Sequence, residues 1–231
     1  MRPIFYDTET TGIRLEEDRI VEIAAFDPIR NESFCSFVNP KQPIPKEATN
    51  IHKISDDMVR DAPDFATVGK SFIEFCSEDA VLIAHNNDGF DVHILRNELK
   101  RNNLQMPSWK FIDTLKWARR YRPDLPRHSL QFLREIYGIE KNNAHRALDD
   151  VVVLYEVFSQ MVDDLSYQQI LDLMSFQKAV KQITHMPFGK HQGLPLEKVP
   201  KSYLKWLNES GTLEKENNLS LKDTLAKMGL I

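Results

Sequence analysis

Asp7 and Glu9 stand two positions apart at the end of an apolar run, Ile4-Phe5-Tyr6, near the start of the chain. Side chains two apart on a β-strand share a face, so Phe5, Asp7 and Glu9 are expected to point the same way. Two carboxylates on an inward face repel each other and lose hydration unless a cation lies between them. Oxygen-only ligands suit a hard divalent ion such as Mg²⁺. An Asp-x-Glu pair alone is better explained by acids solvated in a strand-end turn. The weight falls on whether further acids occur where solvation does not explain them.

Two do. On a helix over Arg146–Asp163, the ideal step of ~100° per residue places Asp149, Glu156, Gln160 and Asp163 on one solvent-facing wedge. Asp150 falls elsewhere, in line with Leu154, Val157 and Met161. Asp149 is accounted for as an acid in the first turn, favoured by the helix dipole. In the helix following Asn87-Asp88, His93, Arg96, Asn97 and Lys100 form the polar face, and Asp91 lies opposite, between Ile94 and Leu95. Asp88 reads as a cap at the helix start. Asp7, Glu9, Asp91 and Asp150 therefore all face inward, which is the pattern of a metal site. His145 is five residues before Asp150, ~140° away on a regular helix. It is expected at the loop-to-helix junction after Lys141-Asn142-Asn143-Ala144, where an imidazole near neutral pH suits removal of a proton from attacking water.

The elements that carry these residues follow from periodicity. Arg19–Asp27 and Ser33–Val38 alternate and, with the opening strand, read as three antiparallel strands. A proline-rich connection, Asn39–Lys46, leads through residues 48–54 to a short helix capped by Ser55 and then an amphipathic helix over 64–77. Asp79–Ala84 reads as a buried strand, 89–102 as a helix, Lys110–Thr114 as a strand, and 114–121, 129–138 and 145–162 as helices. Antiparallel strands followed by alternating helix and strand predict an α/β fold with a mixed sheet. Residues 1–165 form the expected main domain, 166–185 a spacer helix, and 186–231 a small basic C-terminal domain. The last is short enough that it is expected to dock on the body.

The 231 residues have the composition of an ordinary soluble globular protein. No leader or membrane-length apolar run is legible, so a cytoplasmic location is expected. Cys35 and Cys76 lie in apolar surroundings and read as buried, reduced thiols. The net charge of −4 is unevenly spread: residues 167–231 hold nine Lys, no Arg and six acids. A basic tail on an acidic body points to a polyanionic partner.

Asp7-Thr8-Glu9-Thr10-Thr11-Gly12, His85-Asn86 with Phe90-Asp91, and His145-Arg146-Ala147-Leu148-Asp149-Asp150 together resemble the three motifs of the DEDDh 3′→5′ exonucleases, relatives of the proofreading ε subunit of bacterial DNA polymerase III. The resemblance covers about residues 1–165. Leu115–Arg120 and the C-terminal Phe188–Gly193 with Tyr203–Leu207 resemble the exodeoxyribonuclease X branch. One spacing departs from the family pattern: Asn87, Asp88 and Gly89 intervene in the middle motif where two residues are usual, leaving Asp88 as an alternative ligand.

The resemblance implies a ribonuclease H-like fold and release of nucleoside 5′-monophosphates from 3′ ends of DNA, single-stranded or duplex. The residues suit two-metal hydrolysis, with two Mg²⁺ ions (Mn²⁺ as substitute) on Asp7, Glu9, Asp91 and Asp150, and with His145 as general base. By family analogy, Thr10, Thr11, Gly12 and Ile13 would hold the terminal nucleotide, with Asn86 and His52 as further contacts. Association with polymerase or repair proteins is a further expectation of this kind. RNA as substrate, and a non-catalytic nucleic-acid-binding module on the same scaffold, are the competing readings. Lys110–Arg134, with seven basic residues, and Phe176–Trp206, with six Lys, are the expected backbone-binding surfaces. Tyr203 and Trp206 could stack on bases, but helical spacing favours a core role for Trp206.

Overall fold

The computed structural model describes residues 1–140, 147–175, 183–214 and 218–231. Its organising strand is β1 (Arg2–Thr10), because alternate residues of that strand feed two different cores. It pairs antiparallel with β2 (Ile20–Asp27), which pairs antiparallel with β3 (Glu32–Phe37). On its other side it pairs parallel with β4 (Ala80–Ala84), and β4 pairs parallel with β5 (Lys110–Asp113). The sheet order is β3-β2-β1-β4-β5, so the expected mixed α/β sheet is present.

Between β3 and β4 run α1 (Lys46–His52), α2 (Asp56–Val59) and α3 (Phe65–Phe75), between β4 and β5 runs α4 (Asp91–Arg101), and after β5 come α5 (Thr114–Tyr121), α6 (Leu130–Ile136), α7 (Ala147–Val162) and α8 (Tyr167–Ser175). Ile4, Tyr6, Ile23 and Leu82 pack with Phe72 of α3 and Ile94, Leu95 and Leu99 of α4. Phe5, Ala24, Val81, Ile83 and Ile112 pack on the opposite face with Trp117 of α5 and Val151, Leu154 and Phe158 of α7. This period-two division is what points Asp7 and Glu9 toward α7 and Thr8 the other way.

The chain divides into two compact units, Met1–Met174 and Ser175–Ile231. Ile170 of α8 is fully buried in the core built on Phe5, so the helix expected as a spacer belongs, through Met174, to the first unit. The second unit contains α9 (Lys201–Glu209) and α10 (Leu219–Lys227) around its own apolar cluster, including Met186, Leu196, Leu204, Leu207, Leu213, Leu221 and Leu225.

Three local expectations are corrected. Cys76 is buried, but Cys35 is exposed, because β3 ends the sheet and no further strand covers it. Ser55 makes no side-chain cap to α2. Trp206 is 56% exposed, since Leu204 and Leu207 are the residues of α9 that turn inward. No helix among the described residues is long and apolar enough to cross a membrane.

Candidate active site

Asp7 and Glu9 leave β1 on the side facing α7, and Asp150 meets them from the first turn of that helix. One ligand oxygen from each of the three lies within 4.8 Å of the others. The same three acids, with Thr8, His85, Ser129, Leu130 and Gln131, line a cavity of about 280 Å³. Gln131 Nε2 donates to Asp150 Oδ1 at 3.1 Å, and Arg134 Nε in turn donates to Gln131 Oε1 at 3.0 Å. Asp150 is thus aimed by α6 as well as by its own helix.

α7 itself is pinned by a buried acid. Glu22, opposite Glu9 in the β1–β2 register, accepts from Ala147 N at 3.1 Å. An acid at a helix N-terminus satisfies free N–H groups and the dipole together. Glu22 was legible as an acid in the apolar run Ile20-Val21-Glu22-Ile23; Gln131 carried no signal.

Asp91 is buried at the start of α4, as projection predicts, yet it stands outside the set of three. Its Oδ1 accepts from Thr8 Oγ1 at 2.8 Å, and Thr8 points to the α3/α4 side of β1. Asp91 therefore reaches the site from the opposite face. Asp88 caps no helix: α4 begins two residues after the expected start, and the exposed Asp88 carboxylate pairs with Lys116 at 2.5 Å. The additional residue in this loop is absorbed by Asn87, which is fully buried. Tyr6 Oη donates to Asn87 Oδ1 at 2.5 Å, and Asn87 Nδ2 donates to the Ile112 carbonyl at 3.2 Å. Asp113 fastens the same loop by accepting from the N–H groups of Asn86 and Asp88 while capping α5 through those of Leu115 and Lys116.

The electrostatics match the geometry. The Asp7 carboxyl is pushed well above the usual carboxylate range, first by burial, then by the neighbouring charges of Asp91, Glu9, Asp150 and Glu22. Asp91 is pushed up to about 7, chiefly by burial, against the opposing hydrogen bond from Thr8. A group of acids held at such cost to their ionised forms is one a cation stabilises. The donor set is all oxygen and fits a hard divalent ion. His85, with Nδ1 2.9 Å from Thr114 Oγ1, is lowered to about 4 by burial and stands in the cavity wall as neutral imidazole.

Beside the acids is a second cavity of about 890 Å³. Thr10, Thr11, Gly12, Ile13, Asn86 and His52 all line it, and it shares Thr8 and Glu9 with the acidic cavity. The Thr11–Ile13 turn is held by the buried Asp18, which accepts from Thr11 Oγ1 at 2.9 Å and from Arg14 N at 2.7 Å. A Cβ on Gly12 would lie 2.6 Å from Asp18 Oδ2, so this position needs glycine for the close approach. Ile13 is 85% exposed and offers its apolar side chain at the cavity wall. His52 is buried and its Nδ1 accepts from Ile54 N at 3.0 Å, which directs Nε2–H outward from that bond. A third cavity of about 590 Å³ continues past His85 and Ser129, lined also by Arg119, Arg127 and His128.

His145 lies outside the described residues.

The family model described as Exonuclease matches residues 4–158. A model named for a quorum-sensing-regulated virulence factor matches residues 175–219. The DNA polymerase III subunit epsilon of Treponema pallidum is 39% identical over 162 residues, 68% of this chain and 74% of that protein. The PolC-type DNA polymerase III of Caldanaerobacter subterraneus is 35% identical over 166 residues, but the chain spans only 12% of its length. Among solved structures, exonuclease X in complex with 5′ overhanging duplex DNA superposes with a TM-score of 0.59 at 26% identity, over 74% of this chain and 98% of that one.

Proposed function

The chain belongs to the DEDDh 3′→5′ exonuclease family, and from that premise we propose that it releases nucleoside 5′-monophosphates from the 3′ ends of DNA. The observation that carries this reading is one of placement. Three carboxylates converge in one cavity, and that cavity shares Thr8 and Glu9 with a neighbouring one lined by all of the residues expected to receive a terminal nucleotide.

In this reading Asp7, Glu9 and Asp150 hold divalent metal, with Asp91 beside them as a further ligand. Magnesium held there would supply neutralisation of phosphate charge and ease deprotonation of the attacking water. Asp7, Glu9 and Asp150 would hold the divalent charge that attracts the scissile phosphate, Gln131 keeps Asp150 aimed, and Thr8 keeps Asp91 aimed. The Thr11–Ile13 turn and Asn86 receive the terminal sugar and base, with Ile13 presenting an apolar surface to the base. His52 lines the same cavity. Water attacks phosphorus as the bond to the 3′ oxygen of the preceding nucleotide breaks. His145, two residues ahead of α7, takes the proton from the attacking water, and the departing 3′ oxygen gains one.

DNA is the favoured substrate because exonuclease X was solved with duplex DNA, and the T. pallidum relative is a DNA polymerase subunit. Arg119 and Arg127 are exposed and form no ion pair with any described acid, so they are suited to the strand backbone. Other cations of the 110–134 stretch are committed elsewhere. Arg122 pairs with Asp124, and the buried Arg134 donates to Gln131 and to the Ile139 carbonyl.

The test is degradation of 5′-labelled single-stranded DNA and RNA of matched sequence with Mg²⁺, run beside His145→Ala. A 3′→5′ ladder on DNA that vanishes in the variant, and vanishes on chelation, is expected. A ladder confined to RNA would reassign the substrate. Binding without any ladder would leave a non-catalytic module.

A further inference from the structure

The second unit carries an aromatic row that the hydrolytic site does not use. On α9, the rings of Tyr203 and Trp206 are stacked at 30° with centroids 5.7 Å apart. The His191 ring meets Tyr203 edge-on at 4.7 Å and 75°. The row is built, not incidental. Gly189 has φ +78°, and a Cβ there would collide with the Tyr203 hydroxyl, so the Phe188-Gly189-Lys190-His191 turn is shaped to fit that ring.

Trp206 has its Tyr203 side covered and remains 56% exposed. The core of the unit is made by Leu204 and Leu207, so Trp206 contributes little to it. Its neighbours on the outer side of the helix, Ser202, Lys205 and Glu209, are all exposed and polar, which is a poor surface for burying a protein partner. Between Phe188 and Glu209 there are four lysines, Lys190, Lys198, Lys201 and Lys205, all exposed, against Glu197 and Glu209. Lys205 lies 3.8 Å from Glu209, which leaves the lysine excess facing solvent.

We propose that His191, Tyr203 and Trp206 form a stacking platform for single-stranded nucleic acid. A base stacks on the open face of Trp206, while Lys190, Lys201 and Lys205 meet the adjacent phosphates. Every base presents a π-face, so such a platform tolerates sequence, and its lysines add a salt-dependent attraction. The proposal rests on the exonuclease reading only in taking nucleic acid as the ligand.

The experiment uses the full chain carrying Asp7→Asn, so that oligonucleotide is not consumed, and oligo(dT) as the probe. Trp109 and Trp117 are 8% and 3% exposed, so the solvent-accessible indole emission belongs to Trp206. Titration is expected to quench that emission. Adding Trp206→Ala is expected to weaken binding roughly tenfold with the circular dichroism spectrum unchanged. Lys201→Ala with Lys205→Ala is expected to lower the slope of log affinity against log salt by about 0.7 per lysine. In the active protein, Trp206→Ala should leave hydrolysis of p-nitrophenyl thymidine 5′-phosphate, which has no strand of further bases to stack, unchanged. Equal affinity with and without Trp206, or emission insensitive to the oligonucleotide, overturns the platform even if hydrolysis is intact. Quenching retained in a protein that hydrolyses nothing would instead overturn the exonuclease reading and leave the platform standing.

Discussion

Asp7 sits where burial and four neighbouring acids all disfavour its ionised form. Such a residue serves function at the expense of stability. Asp7→Asn is expected to abolish nuclease turnover while raising the melting temperature of the metal-free protein; a lowered melting temperature would argue that Asp7 has a structural role. Gly12 is a different kind of case. A methyl group there meets Asp18, the residue that holds Thr11 and Arg14 in place. Gly12→Ala should therefore displace the turn that lines the larger cavity without touching the acids. Steady-state kinetics should show KM raised by roughly tenfold with kcat nearly unchanged. A fall in kcat alone would place Gly12 in the chemistry.

At the level of elements, the site depends on how α4, α6 and α7 are fastened to the sheet. α7 is tied to β2 through Glu22 and to α6 through Gln131. α4 is tied to the start of β2 through Glu98, which is 1% exposed and pairs with Arg19 at 2.5 Å and with Arg101 at 3.2 Å. Removing the acid leaves the partly buried Arg19 without its ion pair and Arg101 with only the carbonyls of Leu15, Glu16 and Asp18, a loss of about 3 kcal/mol in such settings. Chemical denaturation of Glu98→Ala is expected to show a loss of that order, and Asp91, at the other end of the same helix, should shift with it. A variant as stable as the parent would show that packing of Ile94, Leu95 and Leu99 alone positions α4. The loop ahead of α4 illustrates the same dependence. Asn87, locked between Tyr6 and β5, takes up the additional residue that separates Asn86 from Asp91.

Over the whole molecule, the raised acids couple proton binding to folding. The folded pKa of Asp91, about 7, lies above its ordinary value of 3.8, and that of Asp7 is raised in the same direction. The native state then holds protons that the unfolded chain has released. This contribution to stability is fully present below about pH 4 and is lost as pH rises through about 7. Melting temperatures of chelator-treated protein should fall between pH 4.5 and pH 8, with a flatter profile for Asp91→Asn. Mg²⁺ at pH 7.5 should recover much of the loss by binding the native state. Parallel profiles for the two proteins would detach Asp91 from this coupling.

Much of this was decided along the chain. Alternation in Ile4–Glu9 assigns Asp7 and Glu9 to one face, and the helical angle separates Asp150 from Asp149 and Asp91 from the polar face of α4, because periodicity within an element is a property of the backbone alone. The three spaced motifs carry the family. Tertiary packing decided what lies between elements. It set Asp91 on Thr8 instead of within the tight group of three acids, and it brought Gln131 onto Asp150 from another helix. It gathered His52, Asn86 and Thr10–Ile13 around one cavity, drew α8 into the first core, and left Cys35 and Trp206 open to solvent. None of these is set by a residue's angle on its own helix or strand. Each depends on which neighbouring element covers that angle, and at what distance.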